Sequence, residues 1–318
     1  MLAESLIALV GLVSLQASSM STNGPVLHEL PVARYVSPVV LPPVRKGMES
    51  LGVVTSARSA AVLDIKSGEF LYEKSSGEVH PIASITKLMT AMVFLDSKPN
   101  LDELVTVAEE DDTHEGKPVL PIGEKFTKGE LLHALLIGSV NMAGNTLART
   151  TYGMDEFVKA MNAKARALHL SSAAFSEPTG LDARNQASAK DVARMLNAAL
   201  MYADIRDITK MDKITLKGHT TNKPYVIKST NLLLDSFLNK GAYHIVAAKT
   251  GSLPEAGFCL AQATKNADGN EIIAVVLGSD NHFSRYQDVK MLTYWTFQNF
   301  EWSKNARCNP DGTPIVMP

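Results

Sequence analysis

The chain carries one strand-pair pattern near its start and a second near its end, and any fold it adopts must bring both into sheet. Ala60, Ala61, Val62, Leu63 and Ile65, then Phe70, Leu71 and Tyr72, flank the turn residues Lys66, Ser67, Gly68 and Glu69, which predicts a β-hairpin. Ala261 to Thr264 and Ile272 to Leu277 are likewise separated by Asn266, Ala267, Asp268, Gly269 and Asn270. Between the hairpins the sequence turns helical. Thr127 with Glu130 is a capping box ahead of Leu131, Leu132, Leu135 and Leu136, and Ser188 with Asp191 repeats the pattern ahead of Val192, Met195, Leu196 and Leu200. Phe157, Met161, Ala165 and Leu168 recur at helical spacing after Asp155. Tyr286, Val289, Leu292, Trp295 and Phe297 predict a C-terminal helix. Strands at both ends and helices between define an α+β domain: a mostly antiparallel sheet covered by a helical subdomain, with the site where the two meet.

With 318 residues, 45% of them hydrophobic, the chain can bury one sizeable core, or one core and a small satellite lobe. A net charge of -2, with Lys and Arg dispersed, leaves no footprint for nucleic acid. The eight histidines include no HExxH and the two cysteines no CxxC, so neither a metal nor another cofactor is called for. Cys259 lies in an apolar run that reads as a buried strand, which argues against pairing with Cys308 even in an oxidising compartment.

Leu6 to Leu15 is apolar and is followed by Ala17, Ser18 and Ser19, so residues 1–21 read as a signal peptide, although the first five residues include Glu4 and no basic residue. The stretch is short against the roughly 20 residues a membrane-spanning helix needs. Export to the periplasm follows, with at most a peripheral membrane association. Pro25, Pro31, Pro38, Pro42 and Pro43 make residues 22–50 an extended linker. Residues 51–302 are then the catalytic domain and 303–318 a tail.

Three short motifs carry chemistry. Ser84 and Lys87 lie three apart at the start of an apolar run, Leu88 to Leu95, so on a helix the hydroxyl meets the amine. A serine is inert until a base takes its proton, and a lysine serves only if burial or a neighbouring charge depresses its pKa. The positive end of a helix at Ser84 would favour developing negative charge. Ser139, Val140 and Asn141 follow Gly138, where a helix ends, so a hydroxyl and an amide project from a turn. Such a pair can shuttle a proton and grip a carbonyl. Lys249, Thr250 and Gly251 close the strand-like run Ile245 to Ala248; the glycine admits a close backbone and the lysine can pair with a carboxylate. Each motif alone is unremarkable as an ordinary helix start, turn or hairpin.

In the order SxxK, SxN, KTG they form the signature of serine penicillin-recognising enzymes. From about Ser56 to Phe300 the chain resembles the low-molecular-mass penicillin-binding proteins, the D-alanyl-D-alanine carboxypeptidases and endopeptidases. Further matches are Pro81 to Ala91, Phe157 to Asn162 and the Glu177-Pro178-Thr179-Gly180-Leu181 run. Within the family the resemblance is strongest to the endopeptidase branch of the penicillin-binding protein 7 type.

The resemblance implies a serine β-lactamase/transpeptidase-like fold, stem peptides of peptidoglycan as substrate, and β-lactams as inhibitors. It implies Ser84 as nucleophile, Lys87 as general base and Ser139 as relay to the leaving amine, with Asn141 on the acyl-peptide carbonyl. The N–H groups of Ser84 and Ser252 would form the oxyanion hole. Lys249 and Thr250 would bind the leaving residue's carboxylate, with Gly251 beside them, and Lys249's fixed charge would keep Lys87 neutral. The chain departs from the pattern at Val140, where relatives often carry a polar residue, and at Ser252-Leu253-Pro254, where they show a bulky residue and then threonine. One rival is a β-lactamase with Glu177 as deacylating base, although Glu-Pro-Thr-Gly-Leu matches the peptidase loop. Another is a catalytically idle sensor or wall-binding scaffold. After Phe300, Glu301 to Pro318 leave no room for the second β-domain and anchor helix of many carboxypeptidases, which favours a soluble periplasmic endopeptidase.

Overall fold

The computed structural model describes residues 40–47, 50–114 and 120–303, with the backbone of 307–308 and 314–315. The signal-peptide expectation and the linker up to residue 39 lie outside the described residues. The sheet is built from β1 (Ser59–Asp64), β2 (Phe70–Lys74), β3 (Tyr243–Leu253), β4 (Gly257–Asn266) and β5 (Glu271–Ser279). Its order is β3-β4-β5-β1-β2, antiparallel throughout, so the two sequence hairpins meet where β5 pairs with β1, Ile272 opposite Asp64 and Val276 opposite Ala60.

Alternation decides which face each residue serves. Ala61, Leu63, Ile273, Val275 and Leu277 join the core formed with the helical block, while Ala60, Val62, Ile272, Ala274 and Val276 pack under the C-terminal helix. The sheet is therefore the middle of three layers, with both faces apolar.

The helices are α1 (Lys87–Asp96), α2 (Lys128–Ile137), α3 (Asn141–Thr151), α4 (Met154–Ala167), α5 (Ala189–Ala199), α6 (Ala203–Thr209) and α7 (Ser284–Asn299). Helix α1 is buried all round from Lys87 to Val93 and on to Phe94, as its uninterrupted apolar sequence requires. The capping box of α2 forms: Thr127 Oγ1 accepts from the Glu130 amide at 3.1 Å and the Glu130 carboxylate accepts from the Thr127 amide at 2.9 Å. Only half of the expected box forms at α5. Ser188 Oγ accepts from the Asp191 amide, but the Asp191 carboxylate turns to the amide and hydroxyl of Ser172, at 2.8 and 2.7 Å, and Ser172 Oγ caps the Ser188 amide.

The middle of the chain is not wholly helical. Lys213–Lys217 pairs with Pro224–Lys228 in a separate two-stranded ribbon. Only Leu216 and Ile227 of this ribbon are fully buried; Ile214 and Leu216 alternate inward on one strand and Tyr225 and Ile227 on the other, two five-residue stretches too short for the period to stand out between helices. Val44–Arg45, inside the stretch read as linker, pairs with Phe300–Glu301, and Arg307–Cys308 pairs with Pro314–Ile315. Cys259 is a buried free thiol, pushed up to about 11 by burial.

Candidate active site

The site lies where β3, an edge strand of the sheet, faces the start of α1. Ser84 occupies a single 3₁₀ turn, Ala83–Thr86, and Lys87 begins α1 itself. The serine thus sits one turn ahead of the helix expected to begin at it. In a 3₁₀ turn residues three apart eclipse, and Lys87 Nζ comes to 2.8 Å from Ser84 Oγ. Ala83, just before the serine, has φ +46°, a left-handed conformation that costs a non-glycine residue on the order of 1–3 kcal/mol. The surrounding packing holds it there: a Cβ on Gly251 would come within 2.7 Å of the Ile82 carbonyl oxygen and 3.2 Å of the Ser84 nitrogen. At Gly180, with φ +86°, a Cβ would lie 2.0 Å from the Ala83 oxygen. Two glycines from distant segments therefore clamp the turn that carries Ser84, and any side chain at either would displace it.

Lys87 is wholly buried. Besides Ser84 its Nζ contacts Asn141 Oδ1 at 2.7 Å and the Thr179 carbonyl at 2.5 Å. Those two partners only accept, whereas a serine hydroxyl can also donate. A neutral amine fits this triangle, spending its two hydrogens on Asn141 and Thr179 and turning its lone pair to the Ser84 hydroxyl. Burial pushes Lys87 down to about 7, with the Glu177 carboxylate pulling the other way.

Glu177 is itself occupied: its carboxylate accepts from the Thr179 amide and hydroxyl, both at 2.6 Å, from the Gly180 amide and from Asn185 Nδ2. It folds the Pro178-Thr179-Gly180 turn against α1, where Thr90 Oγ1 donates to the Pro178 carbonyl at 2.6 Å. The Glu-Pro-Thr-Gly motif was visible in the sequence; that its Thr179 carbonyl holds Lys87 was not.

Ser139 follows the end of α2 in a left-handed conformation, φ +58°, and Asn141 opens α3. The motif is thus split, its serine in the turn and its asparagine on a helix. Ser139 Oγ accepts from Lys249 Nζ at 2.9 Å, so in this structure its partner is Lys249. With Asn141 Oδ1 committed to Lys87, its amide nitrogen is the end left for a substrate carbonyl.

Lys249, on β3, is 1% exposed and also donates to the Thr250 carbonyl at 3.0 Å. Burial, then the charges of Lys87 and Arg285, hold it well below the ordinary lysine value. The repulsion expected from Lys249 towards Lys87 thus acts at Lys249 instead, where Lys87 is the larger of the two charges; at Lys87 burial is the lowering cause. Thr250 Oγ1 meets Thr230 Oγ1 at 2.6 Å, and Ser252 is exposed at the strand end.

Arg285, at the start of α7, carries no motif and was missed. It is buried, donates from Nη1 to the Gly251 carbonyl and from Nη2 to Tyr286 Oη, both at 2.9 Å, and its Nε has no partner among the described residues. Tyr286 Oη donates in turn to the Thr230 carbonyl at 2.7 Å. A charged residue one place before an apolar stripe was the only available signal. Ser84, Ser139, Thr230, Thr250, Ser252 and Arg285 line a cavity of about 330 Å³.

This architecture is that of the penicillin-binding enzymes. The Streptomyces K15 DD-transpeptidase superimposes with a TM-score of 0.72 at 26% identity, over 78% of this chain and all of that one. Penicillin-binding protein D2 of Listeria monocytogenes, in its cefotaxime-bound form, gives 0.69 at 28% identity over the same shares. A D-alanyl-D-alanine endopeptidase of Pseudomonas aeruginosa is 35% identical over 84% of each chain, and one of Escherichia coli K12 is 32% identical over 74% of this chain and 76% of its own. Residues 48–281 match the peptidase S11 family, described as D-alanyl-D-alanine carboxypeptidase, and the chain belongs to that family. It is a serine peptidase, a hydrolase of the penicillin-binding class.

Proposed function

We propose that this chain is a D-alanyl-D-alanine endopeptidase that opens cross-links between peptidoglycan stem peptides through an acyl-enzyme on Ser84. The observation that carries the reading is the buried Lys87 amine 2.8 Å from Ser84 Oγ, with its other two partners acceptors only.

Lys87 takes the hydroxyl proton as Ser84 Oγ attacks the carbonyl of a D-alanine residue. The developing oxyanion lies between the N–H groups of Ser84 and Ser252. The C–N bond then breaks, and the proton held by Lys87 passes through Ser139, whose hydroxyl sits between Lys249 and the cavity, to the departing amine, which leaves Lys87 neutral again. Water attacks the ester and gives its proton to Lys87; the ester C–O bond breaks, Lys87 returns that proton to Ser84 Oγ, and the acid departs. Asn141 Nδ2 holds the acyl-peptide carbonyl. The leaving residue's free carboxylate is taken by Thr250 and Arg285, the partly unpaired cation of the cavity, with Lys249 supporting from beneath Thr250 through Ser139. This assignment adds Arg285 to the carboxylate partners expected from sequence.

A β-lactamase reading needs a free carboxylate to activate the deacylating water; Glu177 has its oxygens engaged by its own loop. Both carboxypeptidase and endopeptidase substrates offer a carboxylate beside the scissile bond, and relatives carry either name. The endopeptidase names of the 35% and 32% identical relatives support the cross-link reading. Action on peptidoglycan supports a periplasmic location. Digestion of purified cross-linked muropeptides tests the proposal: the expected products are monomers, whereas release of terminal D-alanine with cross-links intact makes the protein a carboxypeptidase.

A further inference from the structure

The separate two-stranded ribbon leads into the active-site cavity. Lys228 ends its second strand, and the next two residues, Ser229 and Thr230, line the cavity beside Thr250. Thr230 Oγ1 lies 2.6 Å from Thr250 Oγ1, on the side where the leaving residue's carboxylate is taken. The start of the first strand is at the same end: Lys213 stands opposite Lys228, and the Ser229 amide donates to the Asp212 carbonyl at 2.7 Å.

Pleating gives the ribbon two unlike faces. Ile214, Leu216, Tyr225 and Ile227 turn onto the core, with the Ile227 side chain against the bare backbone of Gly138, one residue before Ser139. Lys213, Thr215, Lys217, Pro224, Val226 and Lys228 turn outward and are exposed. Residues 213–228 hold four lysines and no carboxylate, in a chain whose net charge is -2. Lys213 and Lys228 face each other across the ladder, and like charges so placed cost a sheet stability. The far end of the ribbon is nonetheless tied down. Glu124, 2% exposed, accepts from the Thr220 amide at 2.6 Å, the Thr221 hydroxyl at 2.5 Å and the Tyr225 hydroxyl at 3.2 Å. The cationic face is thus held in place and continues the leaving side of the cavity. A single D-alanine, the product of a carboxypeptidase, ends at Thr250 and Arg285 and never reaches it. The complement of this face is a leaving peptide that extends further and is acidic.

We propose that the outer face of the ribbon docks the leaving half of a cross-link, a peptide with carboxylates beyond the one at Thr250 and Arg285, with Lys213 and Lys228 nearest the cavity. The inference rests on the endopeptidase reading above. Two synthetic cross-linked peptides test it, identical in the donor and in the leaving D-centre with its carboxylate, one with two further free carboxylates in the leaving half and one with the corresponding amides. Wild type is expected to cleave the acidic peptide with a kcat/KM about three- to tenfold above the amidated one at low salt, the scale of one or two exposed ion pairs. The ratio falls towards one at about 1 M salt, where charges are screened within about 3 Å. The double variant Lys213→Gln, Lys228→Gln erases the preference and Lys213→Glu, Lys228→Glu inverts it, while both are acylated by benzylpenicillin, which has no leaving half, at the wild-type rate. The double variant Lys66→Gln, Lys98→Gln, at exposed positions outside the ribbon, keeps the preference. Equal cleavage of the two peptides by wild type, or the same loss of preference in the Lys66, Lys98 variant, overturns the docking face. Wild type without a peptide preference that sediments with phosphatidylglycerol vesicles, and ceases to in the Lys213→Gln, Lys228→Gln variant, assigns the ribbon to a lipid surface instead. Release of D-alanine from a linear donor with both cross-linked peptides left intact overturns the endopeptidase reading itself.

Discussion

Two clusters of buried charge in this molecule are built on opposite terms. Asp111, 1% exposed, takes both Arg149 Nε and Nη2, at 2.8 and 2.7 Å, and also the Thr146 hydroxyl and the Ala108 amide, both at 2.8 Å. Both carboxylate oxygens have donors, and the cluster ties α3 to the segment before it. In the cavity, Lys87, Lys249 and Arg285 are buried with no carboxylate in hydrogen-bond contact among the described residues, and Arg285 keeps an unpaired N–H. Burial is answered by a partner in the first cluster and, at the two lysines of the second, by a lowered pKa. A paired charge holds a helix in place, whereas an unpaired amine is reactive.

Removing one group from each cluster gives the largest contrast. Lys87→Met is expected to slow acylation by benzylpenicillin by roughly 10²–10⁴-fold, the range of general-base catalysis, with thermal stability equal or higher. Asp111→Ala leaves Arg149 only Glu110 and the Thr106 carbonyl and is expected to cost roughly 1–3 kcal/mol of stability, read as a fall in the denaturant midpoint, while the folded fraction is acylated at close to the wild-type rate. A Lys87→Met protein that melts far below wild type would erase the distinction.

Arg285→Ala sharpens the second cluster. Loss of a charged hydrogen bond is worth roughly 1.5–3 kcal/mol, so kcat/KM for a peptide with a free terminal carboxylate should fall about 10- to 100-fold. The same peptide as its terminal amide should be nearly unaffected. Equal losses on both peptides would make Arg285 a purely structural support of Gly251 and Tyr286.

These effects divide what the sequence could and could not disclose. Ser84 with Lys87, and Lys249 with Gly251, were legible because each relation is local, one helical turn or one strand end. Arg285 reaches Gly251 across 34 positions and Lys87 reaches Thr179 across 92, and no spacing rule covers such distances. Asp191 read as the second half of a capping box because the rule sees only neighbours; in the fold, Ser172 competes for its carboxylate and wins. The hairpins were visible through alternation, while the ribbon at Lys213–Lys217 alternates over only five residues, too few to stand out between helices.

A smaller effect concerns pH. The lowered Lys87 value means the unfolded chain binds a proton that the folded chain does not between about pH 7 and the ordinary lysine range. This group therefore makes stability rise with pH across that window, and its penalty is fully present below about 7. Lys87→Met should flatten that rise. Glu177 pulls Lys87 upward, so Glu177→Gln should move the acid limb of the acylation profile to lower pH, checked by stopped-flow acylation between pH 5 and 9 (roughly the span over which so shifted an amine titrates). An acid limb that moved to higher pH would contradict that role for Glu177.

The protonation of Lys87 can be read directly by titrating protein carrying ¹⁵N at lysine Nζ and following the resonance that disappears in Lys87→Met. A midpoint near 7 is the expected result. A resonance that stays protonated up to the ordinary lysine range would mean that no base stands beside Ser84, and the reaction would need another proton acceptor.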